Sequence, residues 1–404
     1  MRPELANLDA CLKCSVCNTA CPVYRVMPQY PGPKQLGPEL ERLRREKIPS
    51  DSKFVEYCLG CHGCDVACPN QVAVSEMIAE AKAKHKKHPI HALRDWWFAR
   101  PALLGKLLTI VPAVSNFVLR LRVVRVLMAS MMKINAGRVF PAYTAPNLKS
   151  KQKPVDGKEH LIFFPGCSIR YNTPELGRDV IRLLEINGYT VEVAESDCCG
   201  VPALANGDLE YARSRARFNL EKLTKGIRAG ARVVTTCSSC GHMLKSGFAG
   251  VLEGDTQREE ALKLLSENTR DVGELLAEQA DAGKLNTNFG KVEMKLAYHA
   301  PCHLKSQGIG RPWYHLMAQV PGVKIEDLDA GCCGMSGTYG FKEEKYAVSM
   351  AIGNRLFERV AETAPEMVTT ECATCRMQIE HGTAKTTIHP VEVLLKAYQQ
   401  PQGK

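Results

Sequence analysis

The 18 cysteines of this chain fall into two repeated patterns with none left over. Two runs, CLKCSVCNTACP and CLGCHGCDVACP, share the spacing C-x2-C-x2-C-x3-C-P. That spacing wraps three thiolates around one face of a cubane iron–sulfur cluster and sends the fourth to a neighbouring cluster. Cys11, Cys14, Cys17 and Cys68 are therefore expected to hold one 4Fe–4S cluster, and Cys58, Cys61, Cys64 and Cys21 a second. Zinc also accepts C-x2-C spacing, but a zinc site closes with four ligands and has no use for the doubled C-x3-C-P. Pro22 and Pro69 turn the chain away after each run. Two neighbouring cubanes make a relay, so this region is expected to move electrons.

The other ten cysteines form two sets of five: Cys167, Cys198, Cys199, Cys237, Cys240, and Cys302, Cys332, Cys333, Cys372, Cys375. Each set runs as a single cysteine, then Cys-Cys-Gly, then C-x2-C. Gly200 and Gly334 give the backbone the freedom to aim both adjacent thiols at one place. Five thiolates exceed what one cubane needs. The residues alone leave open a zinc site with a spare thiol, a reactive dithiol and an unusual iron–sulfur cluster. His299 and His303 flank Cys302, and His62 lies inside a ferredoxin run; these are expected to hydrogen-bond near a site or to pack. Tyr339, Phe341 and Lys342 are also expected to pack.

The elements that position these sets repeat with them. Cys167 to Cys302, Cys237 to Cys372 and Cys240 to Cys375 are each 135 residues apart, and Cys198 to Cys332 is 134. FFPGCSIR matches YHAPCHLK, and VVTTCSSCGHML matches MVTTECATCRMQ. A shared period of this kind is a duplication. In each half, short β-branched segments (HLIFF, TVEVA, RVVTT; KLAYH, VKIEDL, EMVTT) read as strands ending just before cysteines. TPELGRDVIRLLEINGY reads as a helix with a Thr-Pro start and a glycine stop. The expected fold is α/β: two duplicated cysteine-rich domains with parallel sheets, behind an N-terminal α+β or helical two-cluster ferredoxin-like domain. The expected boundaries are 1–80 for the ferredoxin domain, 81–140 for a helical segment, 141–158 for a linker, and 159–285 and 286–404 for the two cysteine-rich domains.

The formal charge of +10 is concentrated in residues 80–138, which hold 12 basic residues against Glu80 and Asp95. Such a surplus speaks of a partner or surface. The longest uncharged run, Leu107 to Leu119, is 13 residues and carries Pro112, against roughly 20 residues needed to span a bilayer. Two amphipathic helices lying in a membrane interface are expected instead, with Trp96, Trp97 and Phe98 as anchors and Arg100, Lys106, Arg120, Arg122 and Arg125 toward anionic lipid. The competing reading is an ordinary helical hairpin with a solvated basic face. No nucleic-acid module and no G-x-G-x-x-G fingerprint accompanies these residues, so neither nucleic acid nor a dinucleotide is expected. The start MRPELANLDACLKC lacks an apolar signal, and a thiol-rich chain of this sort is expected in a reducing cytoplasm.

The Cys-Cys-Gly sets resemble the cysteine-rich CCG domain found twice in heterodisulfide reductase catalytic subunits and in iron–sulfur subunits of flavin-linked dehydrogenases. With its ferredoxin module first, and with CPVYRVMPQYPGPKQLGPELERLR, CCGVPALANG and CCGMSGTYGFK, the chain resembles the family of C subunits of anaerobic glycerol-3-phosphate dehydrogenase. Iron–sulfur subunits of glycolate or lactate oxidase share this order. The resemblance implies noncubane 4Fe–4S clusters at one or both five-cysteine sets, zinc being the alternative. It implies flavoprotein partner subunits, delivery of electrons to menaquinone, peripheral attachment to the inner face of the cell membrane, and no substrate dehydrogenation by this chain alone. Other readings are a heterodisulfide-type reductase, or a zinc-containing structural protein carrying a ferredoxin module.

Overall fold

A computed structural model describes residues 5–149, 154–196 and 198–400. Two four-stranded parallel sheets dominate it. The first has strands β1 (His160–Phe163), β2 (Thr190–Val193), β3 (Arg232–Thr235) and β4 (Thr269–Asp271), in the order β2-β1-β3-β4. The second has β5 (Met294–Tyr298), β6 (Val323–Asp327), β7 (Met367–Thr369) and β8 (Thr387–Ile388), in the order β6-β5-β7-β8. The register repeats as well: Phe163 pairs with Val193 on one side and Val234 on the other, and Tyr298 with Asp327 and Thr369. The two halves therefore share topology as well as sequence period.

The halves are locked together by helices. Helix Pro174–Ile186 starts on proline at its first turn and buries Leu176, Val180, Leu183 and Leu184 on one face, the spacing of an amphipathic helix. It packs on helix Pro390–Gln399 of the other half, while Val272–Asp281 packs on Pro312–Ala318. Leu276, Trp313 and Leu394 join Val180 and Leu184 in one core shared by both halves. Each such side chain contributes about 1.5–3 kcal/mol on burial. Helices Val272–Asp281 and Pro390–Gln399 both open on capping boxes, Asp271 with Glu274 and His389 with Glu392, so the duplication extends to its helix starts.

The N-terminal region is helical, with no strand among described residues 5–80. Its two ligand runs fold alike. Ser15 and His62 adopt left-handed φ of 67° and 58°, and each precedes a short helix, Val16–Thr19 and Gly63–Val66. Left-handed backbone is costly for such residues. His62 is held there by its ring, 2.8 Å from Asp65 Oδ2 and 2.9 Å from Ser75 Oγ.

The basic segment departs from expectation. It forms four helices rather than two: Pro89–Phe98, Pro101–Leu108, Pro112–Arg120 and Arg122–Met132. Three of them begin on a proline, which favours a first helical turn and ends whatever precedes it. Phe98 is buried against Phe341 and is no membrane anchor. Arg100 pairs with Asp208 at 2.8 Å and stacks over Trp96 and Tyr211, so its charge is satisfied inside the protein. Trp96 is exposed, Trp97 half-buried, and Arg125 donates to Ala136 O. After the segment, Tyr143 exchanges hydrogen bonds with Asn116 and Leu148 is buried. The expected linker 141–158 is thus anchored at Tyr143 and Leu148; its residues 150–153 lie outside the described residues.

A buried ion network joins all the parts. Arg94, 1% exposed, makes a two-pronged contact with Glu344 at 2.8 and 2.9 Å and also bonds Asp95. Lys342 and Lys87 each approach Asp95 at 2.8 Å. Lys345 donates to Glu56 O and Oε2, and Lys82 to Cys58 O. Burial by itself raises the Glu56 carboxyl, but Lys345, Lys82, Lys87 and Lys342 outweigh it and hold its pKa at about 2. A carboxyl lowered on folding contributes stability that is complete above its unfolded value, near 4.5, and is lost as pH falls toward 2. Thermal unfolding of wild type and Glu56→Gln should therefore converge as pH falls from about 5 toward 2; a gap that stays constant over that range would contradict this role.

Candidate metal centres

The ferredoxin cysteines sort as their spacing predicts. Cys11, Cys14, Cys17 and Cys68 line one cavity, and Cys21, Cys58, Cys61 and Cys64 line another. In each, one thiol comes across from the other run. Burial pushes the Cys17 thiol up, followed by its neighbours Cys11, Cys68 and Cys14; burial takes Cys21 to about 12. Backbone N–H groups already point at sulfur, Gly60 at Cys58 and Val72 at Cys68, each at 3.4 Å. Grouped thiols with N–H donors aimed at two of them match the donor set of a cysteinyl iron–sulfur site.

Both five-cysteine sets lie at the carboxyl ends of their sheets, where open α/β sheets place their sites. Cys167 follows β1, Cys198 and Cys199 follow β2, and Cys237 and Cys240 follow β3. The second set follows β5, β6 and β7 in the same way. The glycines after each Cys-Cys pair take φ of 93° and 84°. At Gly334 a Cβ would stand 2.2 Å from Ser349 O, so no other residue fits.

Within each set neighbouring thiols lie close enough to shift one another's ionisation in sequence. The first runs Cys167, Cys198, Cys199, Cys240, Cys237. The second runs Cys302, Cys332, Cys333, Cys375, Cys372, the same order by sequence match. Hydrogen bonds from Cys198 and Cys240 bring Cys199 down to about 6, and one from Cys375 brings Cys372 to about 6. Cys302 and Cys333 lower Cys332 as well. Thiolates are the form that binds metal, and all 18 cysteines are free of disulfides. The donor sets fit sulfur-ligated metal groups at both places.

The sites are not separate. One cavity is lined by Cys58 and Cys61, by Cys167, Cys199, Cys237 and Cys240, and by Cys302, Cys332, Cys333, Cys372 and Cys375. Cys332 and Tyr339 pack into the ferredoxin core, and Cys332 acts electrostatically on Cys61 and Cys21. The second set therefore abuts the Cys21–Cys58–Cys61–Cys64 site, with the first set further round the same cavity.

Three histidines from three parts of the chain meet here. The rings of His62 and His242 are 4.1 Å apart, His242 and His303 5.2 Å, and His62 and His303 5.7 Å. His303 reaches Ser239 Oγ and Gly60 O, each at 2.8 Å, and Ser306 Oγ lies 2.9 Å from His242 Nδ1. Burial lowers His303 to about 4 and takes His242 well below the usual range. These rings join the modules by hydrogen bonds. His242, two residues after Cys240, went unremarked in the sequence because lone histidines carry little signal. Tyr339, Phe341 and Lys342 are buried and pack, as expected.

On the outer surface, Ile110, Val114, Phe117, Val123 and Met131 are 58–78% exposed, beside exposed Lys106, Arg120 and Arg122. Among the described residues no single helix is long and apolar enough to cross a membrane; Pro101–Leu108 and Pro112–Arg120 are bent by 109° at their junction.

Comparison with known proteins agrees with this arrangement. A 4Fe-4S dicluster domain family matches residues 7–72, and the CCG cysteine-rich domain family matches residues 161–245 and again 296–380. The chain is 35% identical over 399 residues to the C subunit of anaerobic glycerol-3-phosphate dehydrogenase of Escherichia coli K12, covering 97% of this chain and 98% of that protein. It is 24% identical to the glycolate oxidase iron–sulfur subunit of the same organism, over 97% of this chain and 95% of that one. It is also 24% identical to the D subunit of the dihydromethanophenazine:CoB–CoM heterodisulfide reductase of Methanosarcina barkeri, over 94% and 90% of the two chains.

Proposed function

The chain belongs to the family of iron–sulfur electron-transfer subunits that includes the C subunit of anaerobic glycerol-3-phosphate dehydrogenase, and from that footing we propose that it carries electrons from a flavoprotein dehydrogenase, acting on glycerol 3-phosphate, to menaquinone in the inner face of the cell membrane. It is a subunit of an oxidoreductase complex. In the proposal Cys11, Cys14, Cys17 and Cys68 hold one cubane, Cys21, Cys58, Cys61 and Cys64 a second, and each five-cysteine set a noncubane 4Fe–4S cluster. When bound, these groups would supply one-electron redox chemistry.

The observation that carries the reading is the single cavity onto which Cys58, Cys61 and both five-cysteine sets open. In the proposal electrons pass from the Cys11 tetrad to the Cys21 tetrad, the Cys302 set and then the Cys167 set, an order supported by the packing of Cys332 into the ferredoxin core. The residues between them keep that order rigid, through His303 on Gly60 and Lys82 on Cys58.

Membrane attachment in this proposal uses the exposed apolar side chains of the 101–132 helices, with Lys106, Arg120, Arg122 and Arg125 toward anionic headgroups and Trp96 and Trp97 at the edge. Arg100, paired with Asp208, contributes through packing only. The test is a tagged pull-down in which a flavoprotein co-purifies, followed by glycerol 3-phosphate-dependent reduction of menaquinone in anionic vesicles. Phe117→Asp with Val123→Asp should cut the vesicle-bound fraction at least tenfold, since a buried apolar side chain contributes about 1.5–3 kcal/mol each, while iron content stays unchanged. No flavoprotein partner, together with turnover of a disulfide by the reduced protein, would move the assignment to a heterodisulfide-type reductase.

A further inference from the structure

The two five-cysteine sets share a chain order but not their surroundings. By the 135-residue offset, Phe163, Phe164 and Thr236 of the first half match Tyr298, His299 and Glu371 of the second. Phe164 is fully buried in an apolar core with Cys199 and Cys240. His299 takes the same place beside the matching Cys333 and Cys375: one of its ring nitrogens lies within 4.8 Å of both Sγ atoms. The residue is 1% exposed, and its Nε2 is buried without a hydrogen-bond partner among the described residues. Nearby, Tyr298 donates to Glu371 Oε1 at 2.9 Å, so a polar pair replaces the phenyl and threonine of the first half. A buried unpaired ring nitrogen is costly, and this ring lies against the sulfurs of a single site.

We propose that His299 donates an N–H hydrogen bond to sulfur at the Cys302 site, making this site the more easily reduced of the two. The proposal rests on cluster occupancy of both sets. A donor aimed at sulfur stabilises the extra negative charge that arrives on reduction, and hydrogen bonds to sulfur are among the factors that set such potentials. One electron is gained at the site and one is lost by the neighbouring Cys21 tetrad. No bond forms or breaks, and the proton stays on the ring. The Cys302 set, already beside that tetrad, then acts as the electron-holding site, and the apolar Cys167 set lies energetically uphill.

The test begins with iron content and redox titration followed by EPR on wild type, His299→Phe, His299→Gln and Phe164→His. Phe164 shows that a phenyl ring fits this position of the fold. With iron retained, His299→Phe should lower the reduced-to-oxidised ratio of the Cys302 site at a fixed poise about tenfold, a 59 mV shift for one electron. His299→Gln should recover most of it, and Phe164→His should shift the Cys167 site the opposite way. Pulsed EPR on protein labelled with 15N-histidine should show one weakly coupled nitrogen that His299→Phe removes. Unchanged potential and unchanged coupling in His299→Phe, with iron retained, would overturn the role of His299, as would the large coupling of a directly bound nitrogen. Absence of iron from both sets in wild type would instead overturn the occupancy on which the proposal stands.

Discussion

Replacing Cys332 and Cys333 with serine is expected to remove about four irons per chain, the content of one 4Fe–4S cluster, and to stop electrons reaching the Cys167 set. The geometry predicts both losses. Cys332 and Cys333 sit in the middle of the second thiol chain, between Cys302 and Cys375. Cys332 also packs into the ferredoxin core beside the Cys21 tetrad, which in the proposal makes the Cys302 set the entry point from that tetrad. Replacing Cys198 and Cys199 should also remove about four irons but leave the Cys302 set reducible. Freeze-quench EPR after mixing with reductant separates the two cases. Equal effects of both double variants on reduction of the remaining sites would contradict the proposed order. Unchanged iron in either would remove those cysteines from the ligand set.

Asp95→Ala is expected to destabilise the protein by about 3–5 kcal/mol, the range for breaking a buried ion pair from one side. Asp95 is 3% exposed and faces Arg94, Lys342 and Lys87. Burial raises its carboxyl, but Lys342, Lys87 and Arg94 outweigh it and hold the group well below the carboxylate range. Removing it takes the shared carboxylate from three clustered cations and leaves Arg94 to Glu344 and Lys87 to Glu56. Because Lys342 belongs to the second half, Lys87 bonds Asn206 O of the first and Arg94 lies in the basic segment, the loss should also loosen contacts between parts. Ile110→Ala, at a position 73% exposed, should change stability by no more than about 0.5 kcal/mol. Denaturant unfolding measures both; a cost for Asp95→Ala near that of Ile110→Ala would show that the network contributes nothing net.

Much of the site was legible because ligand spacing is a local property. C-x2-C-x2-C-x3-C groups three cysteines with a fourth from the other run, and the structure brings those same four together. The duplicated sheets were legible from six strands that end at cysteines. Their outer strands were not: β4 is Thr-Arg-Asp and β8 only Thr-Ile, too short and too polar to show an alternating pattern. The ion network was also hidden. Arg94 and Asp95 sit in a stretch whose basic surplus reads as a solvated surface, and only packing against Lys342 and Glu344 reveals them as buried. Phe98 and Arg100 were misjudged for the same reason, since their partners Phe341 and Asp208 lie far along the chain. The joining of the halves by helices such as Pro390–Gln399 on Pro174–Ile186 depends on contacts more than two hundred residues apart.

The most direct measurement is iron, acid-labile sulfide and zinc per chain on anaerobically purified protein, with EPR of oxidised and reduced samples. A relay through all four sites predicts about sixteen irons and matching sulfide, four 4Fe–4S groups in all, with zinc near zero. About eight irons, with zinc or no metal at the five-cysteine sets, would contradict it and confine electron transfer to the ferredoxin region.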